Sequence, residues 1–168
     1  QIGSISADKI NLSNAKSNKY FFADESKLED LDAMFAELIA EGNSVGAKLA
    51  VRVTNCPVGL GEPVFDKFDA DLAKAIMSIN AVKSVSIGNI HNMLDLKGSE
   101  GRDESTADGF KSNNAGGILV GITNGDLIEL EFIIKPTSSI KSKGQTINAM
   151  VEEVEVEVPG RHDPGVGI

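Results

Sequence analysis

The amino-acid sequence predicts an α+β fold in which helices pack on antiparallel β-sheet. Two stretches, 28–39 and 68–79, carry apolar residues at the spacing of one helical face. Other stretches alternate apolar and polar residues with a period of two, which is typical of half-buried strands. An Asn-Gly pair at 124–125 separates two apolar runs, and this is the pattern of an antiparallel hairpin turn.

Both predicted helices begin with acidic residues, which the positive N-terminal end of a helix dipole favours. Asp24 and Glu25 precede the first apolar face, and Gly42 follows it as a left-handed cap. The second helix is predicted over residues 66–78, with Asp66 and two further aspartates in its first turns. Each helix therefore carries its own start signal.

The strands are predicted from alternation and from turn residues. A short strand and turn is expected within residues 1–12, and half-buried strands are expected over 47–54 and 81–87. Residues 118–122 and 127–135 are expected to pair as a hairpin through the turn at 123–126.

Three further segments complete the prediction. Residues 151–158 are all Val or Glu and alternate from Glu153 to Val158, which predicts an antiparallel strand with one wet face. Residues 89–96 are expected to continue the strand before them or to turn back. Residues 97–108 are polar and rich in small side chains, so a mobile loop is expected there.

Composition excludes several classes of protein. The chain has 168 residues, which favours a single core over 1–168, and its net charge of −9 argues against a nucleic-acid partner. A single cysteine, Cys56, fits a reducing, cytoplasmic compartment. No apolar run reaches the length of a membrane span, and no set of His, Cys, Asp and Glu has the spacing of a metal site, so neither is expected.

Two short stretches could carry chemistry. The run KPTSS at 135–139 gathers one cation and three hydroxyls, which suits an anion cradle but equally an ordinary polar turn. The run GRHDP at 160–164 places a cation, an imidazole and a carboxylate together in a loop fixed by Gly and Pro. That loop is either a site or a solvated charged turn, and the residues alone do not decide between them.

Six motifs together resemble the chorismate synthase family. They are VGLGEPVFD at 58–66, DADLA at 69–73, MSINAVK at 77–83, SNNAGGIL at 112–119, KPTSSI at 135–140 and GRHDP at 160–164. They occur in the family's order, and the resemblance covers residues 1–168. The chain looks like the central and later part of such an enzyme, with both ends removed.

The resemblance implies a lyase of the shikimate pathway, in aromatic amino-acid biosynthesis. The family converts 5-enolpyruvylshikimate 3-phosphate to chorismate and phosphate by a 1,4-anti elimination, and it requires reduced FMN. The resemblance further implies a β-α-β sandwich, with helices between antiparallel sheets, and a homotetramer. It leaves open whether the flavin is reduced by partner enzymes or in place with NADPH.

Site residues follow from the same resemblance. Asp163 is implied as a catalytic acid–base group, with His162 beside it as a lesser candidate. The implied flavin contacts are Asn80, Ala81, Val120, Lys135, Pro136, Thr137, Ser138, Ser139 and Arg161. Val120 departs from the family pattern, because a glycine is expected at this position.

One absence from the sequence bears on activity. The family's Arg-Ser-Ser-Ala-Arg segment and its two histidines do not occur in these 168 residues. We therefore expect this chain alone to be inactive. The alternative is a non-catalytic structural or oligomerisation module.

Overall fold

The computed structural model describes residues 1–159 and 163–165. The chain forms two compact units, one of Gln1–Lys48 with Ile134–Ile168 and the other of Leu49–Ile133. Helices and antiparallel hairpins occur together, so the predicted α+β class is confirmed. The prediction of a single core over 1–168 stays a prediction.

The first unit is built around one long helix. Its helices are α1 (Leu12–Ala15), a 3-10 turn (Glu25–Lys27) and α2 (Leu28–Glu41). Leu31, Phe35 and Leu38 of α2 are buried, and the ring of Tyr20 stacks on Phe35 at 5.0 Å between centroids. Gly42 ends α2 in the left-handed conformation, with φ 66°. The first predicted helix is therefore confirmed with its cap.

Asp24 fixes the start of this helical segment. Its carboxylate accepts hydrogen bonds from the Ser26 hydroxyl at 2.7 Å, and from the backbone N–H groups of Asp8, Lys9 and Ser26. The pKa of Asp24 is held well below its ordinary value, mainly by the hydrogen bond from the Ser26 hydroxyl and further by the backbone donors. Asp24 thus joins the segment before α1 to the N-terminus of α2.

The second unit contains a three-stranded sheet. Its strands are β1 (Ala47–Val53), β7 (Ile128–Ile134) and β2 (Val82–Ile87), in the order β1-β7-β2. The first two residues of β1, Ala47 and Lys48, and the last residue of β7, Ile134, are counted with the first unit. Helix α3 (Phe68–Met77) packs on β2. Alternate side chains of β7 are buried, namely those of Ile128, Leu130, Phe132 and Ile134.

The predicted hairpin through residues 123–126 is wrong. Strand β5 (Ile118–Leu119) pairs instead with β6 (Ile122–Thr123) across a two-residue turn of Val120 and Gly121. The Asn-Gly pair still makes a tight turn, closed by the Asp126 N–H donating to Asn124 Oδ1. That turn leads into β7, whose sheet partners β1 and β2 lie far away in sequence.

The segment after β2 also differs from the expectation. Residues 89–96 contain a one-turn helix, α4 (Ile90–Met93), so of the two predicted alternatives, continuation of the strand and a turn back, the continuation is wrong. The strand ends because Gly88 adopts φ 75° and its backbone approaches Asn114 closely. Residues 97–110 form α5 (Gly98–Gly101) and the hairpin β3 (Ser105–Thr106) with β4 (Gly109–Phe110). The mobility expected of 97–108 stays a prediction.

The last hairpin pairs β8 (Gly144–Ile147) with β9 (Glu153–Val156). The predicted Val-Glu strand is present, but it is shorter than the predicted range 151–158. All residues of both strands are exposed, so the expectation of one wet and one buried face is wrong for the described chain. Among the described residues, β8 and β9 pair only with each other.

Val120 is held in an unfavourable backbone conformation. Its φ is 55° and that of Gly121 is 79°, which is the pair of positive angles that a two-residue hairpin turn of this type requires. A β-branched residue in this region carries strain of about 1–3 kcal/mol. The sequence-based expectation of a glycine at this position therefore has a backbone reason.

Val120→Gly is expected to raise the free energy of unfolding by about 1 kcal/mol, because relief of the strain exceeds the extra freedom of glycine in the unfolded chain. Urea denaturation measures the change. Val120→Ala is the control, and it should gain less because alanine retains a Cβ. A loss of stability in Val120→Gly would contradict the assigned turn.

Asp24 gives a pH dependence of known sign. Because its pKa is depressed in the folded state, Asp24 stabilises the fold above its unfolded pKa of about 4. That contribution is lost as the pH falls through the depressed folded pKa. Asp24→Ala should therefore lower stability at pH 7 and reduce the loss of stability below pH 4, in urea denaturation at several pH values.

Asp30→Ala is the matched control, since Asp30 is an exposed carboxylate in the first turn of α2. It should leave the acid dependence close to that of the unmodified chain. If Asp24→Ala and Asp30→Ala gave the same profile, Asp24 would not be the anchor described above.

Candidate functional site

The KPTSS run, which we call the KPTSS turn, follows β7 directly, and the chain bends at Ser138. Lys135 and Ser138 are exposed, and Lys135 Nζ donates to Ser138 Oγ at 3.2 Å. The cation and a hydroxyl therefore face the same small volume. A phosphate oxygen there would receive a charge-assisted hydrogen bond from the lysine and a neutral one from the hydroxyl.

A loop that the sequence analysis did not single out holds this turn. Ser44, which is buried, donates through its hydroxyl to the backbone carbonyl oxygen of Thr137 at 2.6 Å. Asn43 supports Ser44, because Asn43 Oδ1 accepts from the Ser44 N–H at 2.9 Å. The backbone of Thr137 is thereby fixed to the segment that follows helix α2.

Gly46 allows the close approach. A Cβ added at Gly46 would lie 2.5 Å from the carbonyl oxygen of Ile134 and 3.2 Å from Cδ of Pro136. Real Cβ atoms do not come so near to a backbone oxygen, so only glycine fits. The segment 42–46, which we call the anchor loop, therefore lies directly against the start of the KPTSS turn.

The anchor loop also holds the chain near Asp163. The Val45 N–H donates to the carbonyl oxygen of Pro164 at 2.9 Å, and Val45 forms a parallel bridge with Gly165. Ser44 and Val45 are adjacent, so the two stretches that the sequence marked separately meet at one loop. Asp163 itself is exposed. Arg161 and His162 lie outside the described residues.

Three other predicted contacts lie in the second unit. Asn80 and Ala81 follow the C-terminus of α3, and Ala81 has a positive φ of 67°. At the other end of α3, the Phe68 N–H donates to the carbonyl oxygen of Gly121, next to Val120. The ten residues of α3 thus separate the two places by about 15 Å along the helix axis.

Asp103 organises the SNNAGG stretch, and the sequence analysis missed it. Its carboxylate accepts from the Ser112 hydroxyl at 2.7 Å and from the N–H groups of Asn114 and Ala115, both at 2.8 Å. Partial burial raises the pKa of Asp103. The hydrogen bonds to the carboxylate have the larger effect in total, so the pKa lies below its ordinary value. A carboxylate within a stretch of small polar residues gives no local signal of this role.

Two absences concern the described residues. Within 1–159 and 163–165, no three side chains of His, Cys, Asp or Glu gather as a metal ion would require. In the same part of the chain, no helix is both long and apolar enough to cross a membrane.

Comparison with known proteins identifies the family. The family model described as chorismate synthase matches residues 1–168. The chain belongs to the chorismate synthase family. A crystal structure of chorismate synthase is similar to it, with a TM-score of 0.72 and 28% sequence identity. The match covers 83% of this chain and 48% of the solved chain, so this member of the family spans about half the length of that relative.

Gly46→Ala is expected to destabilise this member of the family by about 1–3 kcal/mol, because the added methyl group must displace the carbonyl of Ile134 or the ring of Pro136. Urea denaturation measures the loss. Hydrogen exchange at the Val45 N–H, which donates to Pro164, should become faster as the anchor loop shifts.

Gly98→Ala is the matched control, because no heavy atom lies within 4 Å of a Cβ added there. Its effect should stay within about 0.5 kcal/mol. Equal stability of Gly46→Ala and the unmodified chain would mean that the close approach at Gly46 is not a constraint.

Proposed function

We propose that this protein provides part of a chorismate synthase, a lyase that eliminates phosphate from 5-enolpyruvylshikimate 3-phosphate to give chorismate with reduced FMN. The observation that carries the proposal is the anchor loop, which holds the KPTSS turn through Ser44 and the chain beside Asp163 through Val45. Family membership supports the same activity.

The donor set of the KPTSS turn fits an anionic cofactor. Lys135 supplies the charge, and Thr137, Ser138 and Ser139 supply hydroxyl and backbone donors around it. Arg161 adds a guanidinium, which suits a phosphate or an electron-rich ring. Bound reduced FMN would supply the electron-rich ring that the elimination requires, and Pro136 would shape the ring edge.

Asp163 is the proposed acid–base group for the proton that the substrate loses, with His162 as the lesser candidate. Asn80, Ala81 and Val120 are proposed as further flavin contacts. The positive φ angles of Ala81 and Val120 support this, because residues held in such conformations cluster at ligand sites.

The activity is proposed for the whole enzyme and not for this chain alone. The chain has only three arginines, and the family's Arg-Ser-Ser-Ala-Arg segment is not among its 168 residues. Without the positive charge of that segment, the phosphate groups of FMN and of the substrate would not be neutralised. We further propose that the whole enzyme is a homotetramer in the reducing cytoplasm. It acts on a small-molecule substrate and not on nucleic acid.

An anaerobic titration with FMN, oxidised and then dithionite-reduced, tests the pocket. We expect saturable binding, with reduced flavin bound more tightly, because Lys135 and Arg161 favour negative charge. Lys135→Ala and Arg161→Ala should each weaken binding by about tenfold or more, the loss of one charged hydrogen bond. Flavin absorbance and fluorescence report the binding.

Lys16→Ala is the control, since Lys16 is an exposed lysine outside the proposed site. It should bind FMN as the unmodified chain does. An equal loss in Lys16→Ala would indicate a general charge effect and not a site. Formation of chorismate by the whole enzyme without flavin would contradict the proposed function itself.

A further inference from the structure

Thr123 in strand β6 is polar, yet it is only 1% exposed. Its hydroxyl donates to the carbonyl oxygen of Pro57 at 2.6 Å and accepts from the Leu60 N–H at 2.9 Å. Its own N–H donates to the carbonyl oxygen of Leu60, and its carbonyl oxygen accepts from the Gly59 N–H, both at 2.9 Å. These hydrogen bonds fasten β6 to the segment 57–61, which we call the PVGLG loop.

The PVGLG loop also meets the turn of Val120 and Gly121 directly. A Cβ added at Gly61 would lie 2.2 Å from the carbonyl oxygen of Gly121, so the last residue of the loop lies in close contact with the turn. The same carbonyl oxygen accepts from the Phe68 N–H at 2.9 Å, at the first residue of α3. The loop that Thr123 holds is therefore the loop that lies against the turn.

The turn depends on this support because its backbone is strained. Val120 has a φ of 55°, and a side chain persists in such a conformation only where the surrounding structure fixes it. Strands β5 and β6 have two residues each, and a hairpin of that size supplies little stability of its own. The bonds between Thr123 and the PVGLG loop supply the support from outside the hairpin.

We infer that Thr123 is a positioning residue for the flavin: by fixing β6, it holds the peptide groups of the Val120–Gly121 turn in the orientation that the cofactor meets. The inference rests on the proposed function, in which Val120 is a flavin contact. Thr123 is buried and offers no surface to a ligand, so it acts through the turn. Its hydroxyl carries this role, because that one group serves both a donor and an acceptor of the PVGLG loop.

Two substitutions separate the hydroxyl of Thr123 from the shape of its side chain. Thr123→Val keeps the shape but deprives the Leu60 N–H and the Pro57 carbonyl oxygen of the hydroxyl. Thr123→Ser keeps the hydroxyl and loses a methyl group. In an anaerobic titration with reduced FMN, Thr123→Val should weaken binding by about two- to thirtyfold, the range for residues that act on a ligand without touching it. Thr123→Ser should restore the affinity of the unmodified chain.

Hydrogen exchange at the Phe68 N–H reports the turn in the absence of flavin, because Phe68 donates to Gly121 and not to Thr123. This exchange should become faster in Thr123→Val by about fivefold or more, as the loss of one hydrogen bond predicts. It should stay unchanged in Thr123→Ser. The two readouts together distinguish a shifted turn from a general loss of flavin affinity.

Phe132→Leu is the control for lost stability, because Phe132 is buried in β7 and its side chain has no hydrogen-bonding group. It should bind FMN as the unmodified chain does, at a temperature where circular dichroism shows every variant folded. Thr123→Cys replaces Thr123→Val if the latter does not fold, since a thiol is only a weak donor and acceptor. It should weaken FMN binding in the same direction.

The outcomes that contradict the inference differ from those that contradict the proposed function. Absence of FMN binding by the unmodified chain would overturn the proposed flavin site, and this inference with it. If the unmodified chain binds FMN and Thr123→Val binds it equally well, the inference alone is wrong. An equal loss of affinity in Thr123→Ser and Thr123→Val also overturns it, because the hydroxyl would then not be the positioning group.

Discussion

The anchor loop after helix α2 is the constraint on which the candidate site depends. Helix α2 must end at a fixed residue, and Gly42 ends it in the left-handed conformation that a side chain would strain. Shortly after Gly42, Ser44 and Val45 donate hydrogen bonds to two distant stretches of chain. A local rule about how helices stop thus determines where the lysine turn and the aspartate segment lie.

Much of the fold could be predicted from the sequence because its signals are local. Helix α2 shows its apolar face, its acidic start and its glycine stop within the nineteen residues 24–42. The pairing of β7 could not be predicted, because its partners β1 and β2 come from distant segments while an Asn-Gly turn lies close by. Turn chemistry was identified correctly at that pair, but it did not indicate which strands would pair.

The candidate site divides in the same way. Lys135 and Asp163 are conspicuous in the sequence because charged groups stand among Gly and Pro residues. Ser44, Gly46 and Asp103 are not conspicuous, because each acts through bonds or close approaches to residues far away in sequence. Gly42 and Gly46 frame the anchor loop, and that spacing is the one signal that could have indicated it.

Strain gives an argument for the site that does not use its charges. The resemblance alone implied Ala81 and Val120 as flavin contacts, and both have positive φ angles. Only three other non-glycine residues among those described share this property, so the coincidence is informative. A side chain in this conformation costs stability, and it persists where surrounding structure fixes the backbone. At Val120, the two-residue turn fixes the backbone and leaves the side chain exposed, so the geometry constrains the backbone and not the side chain. A ligand that approached this turn would therefore meet peptide groups in a defined orientation, whichever residue occupied the position.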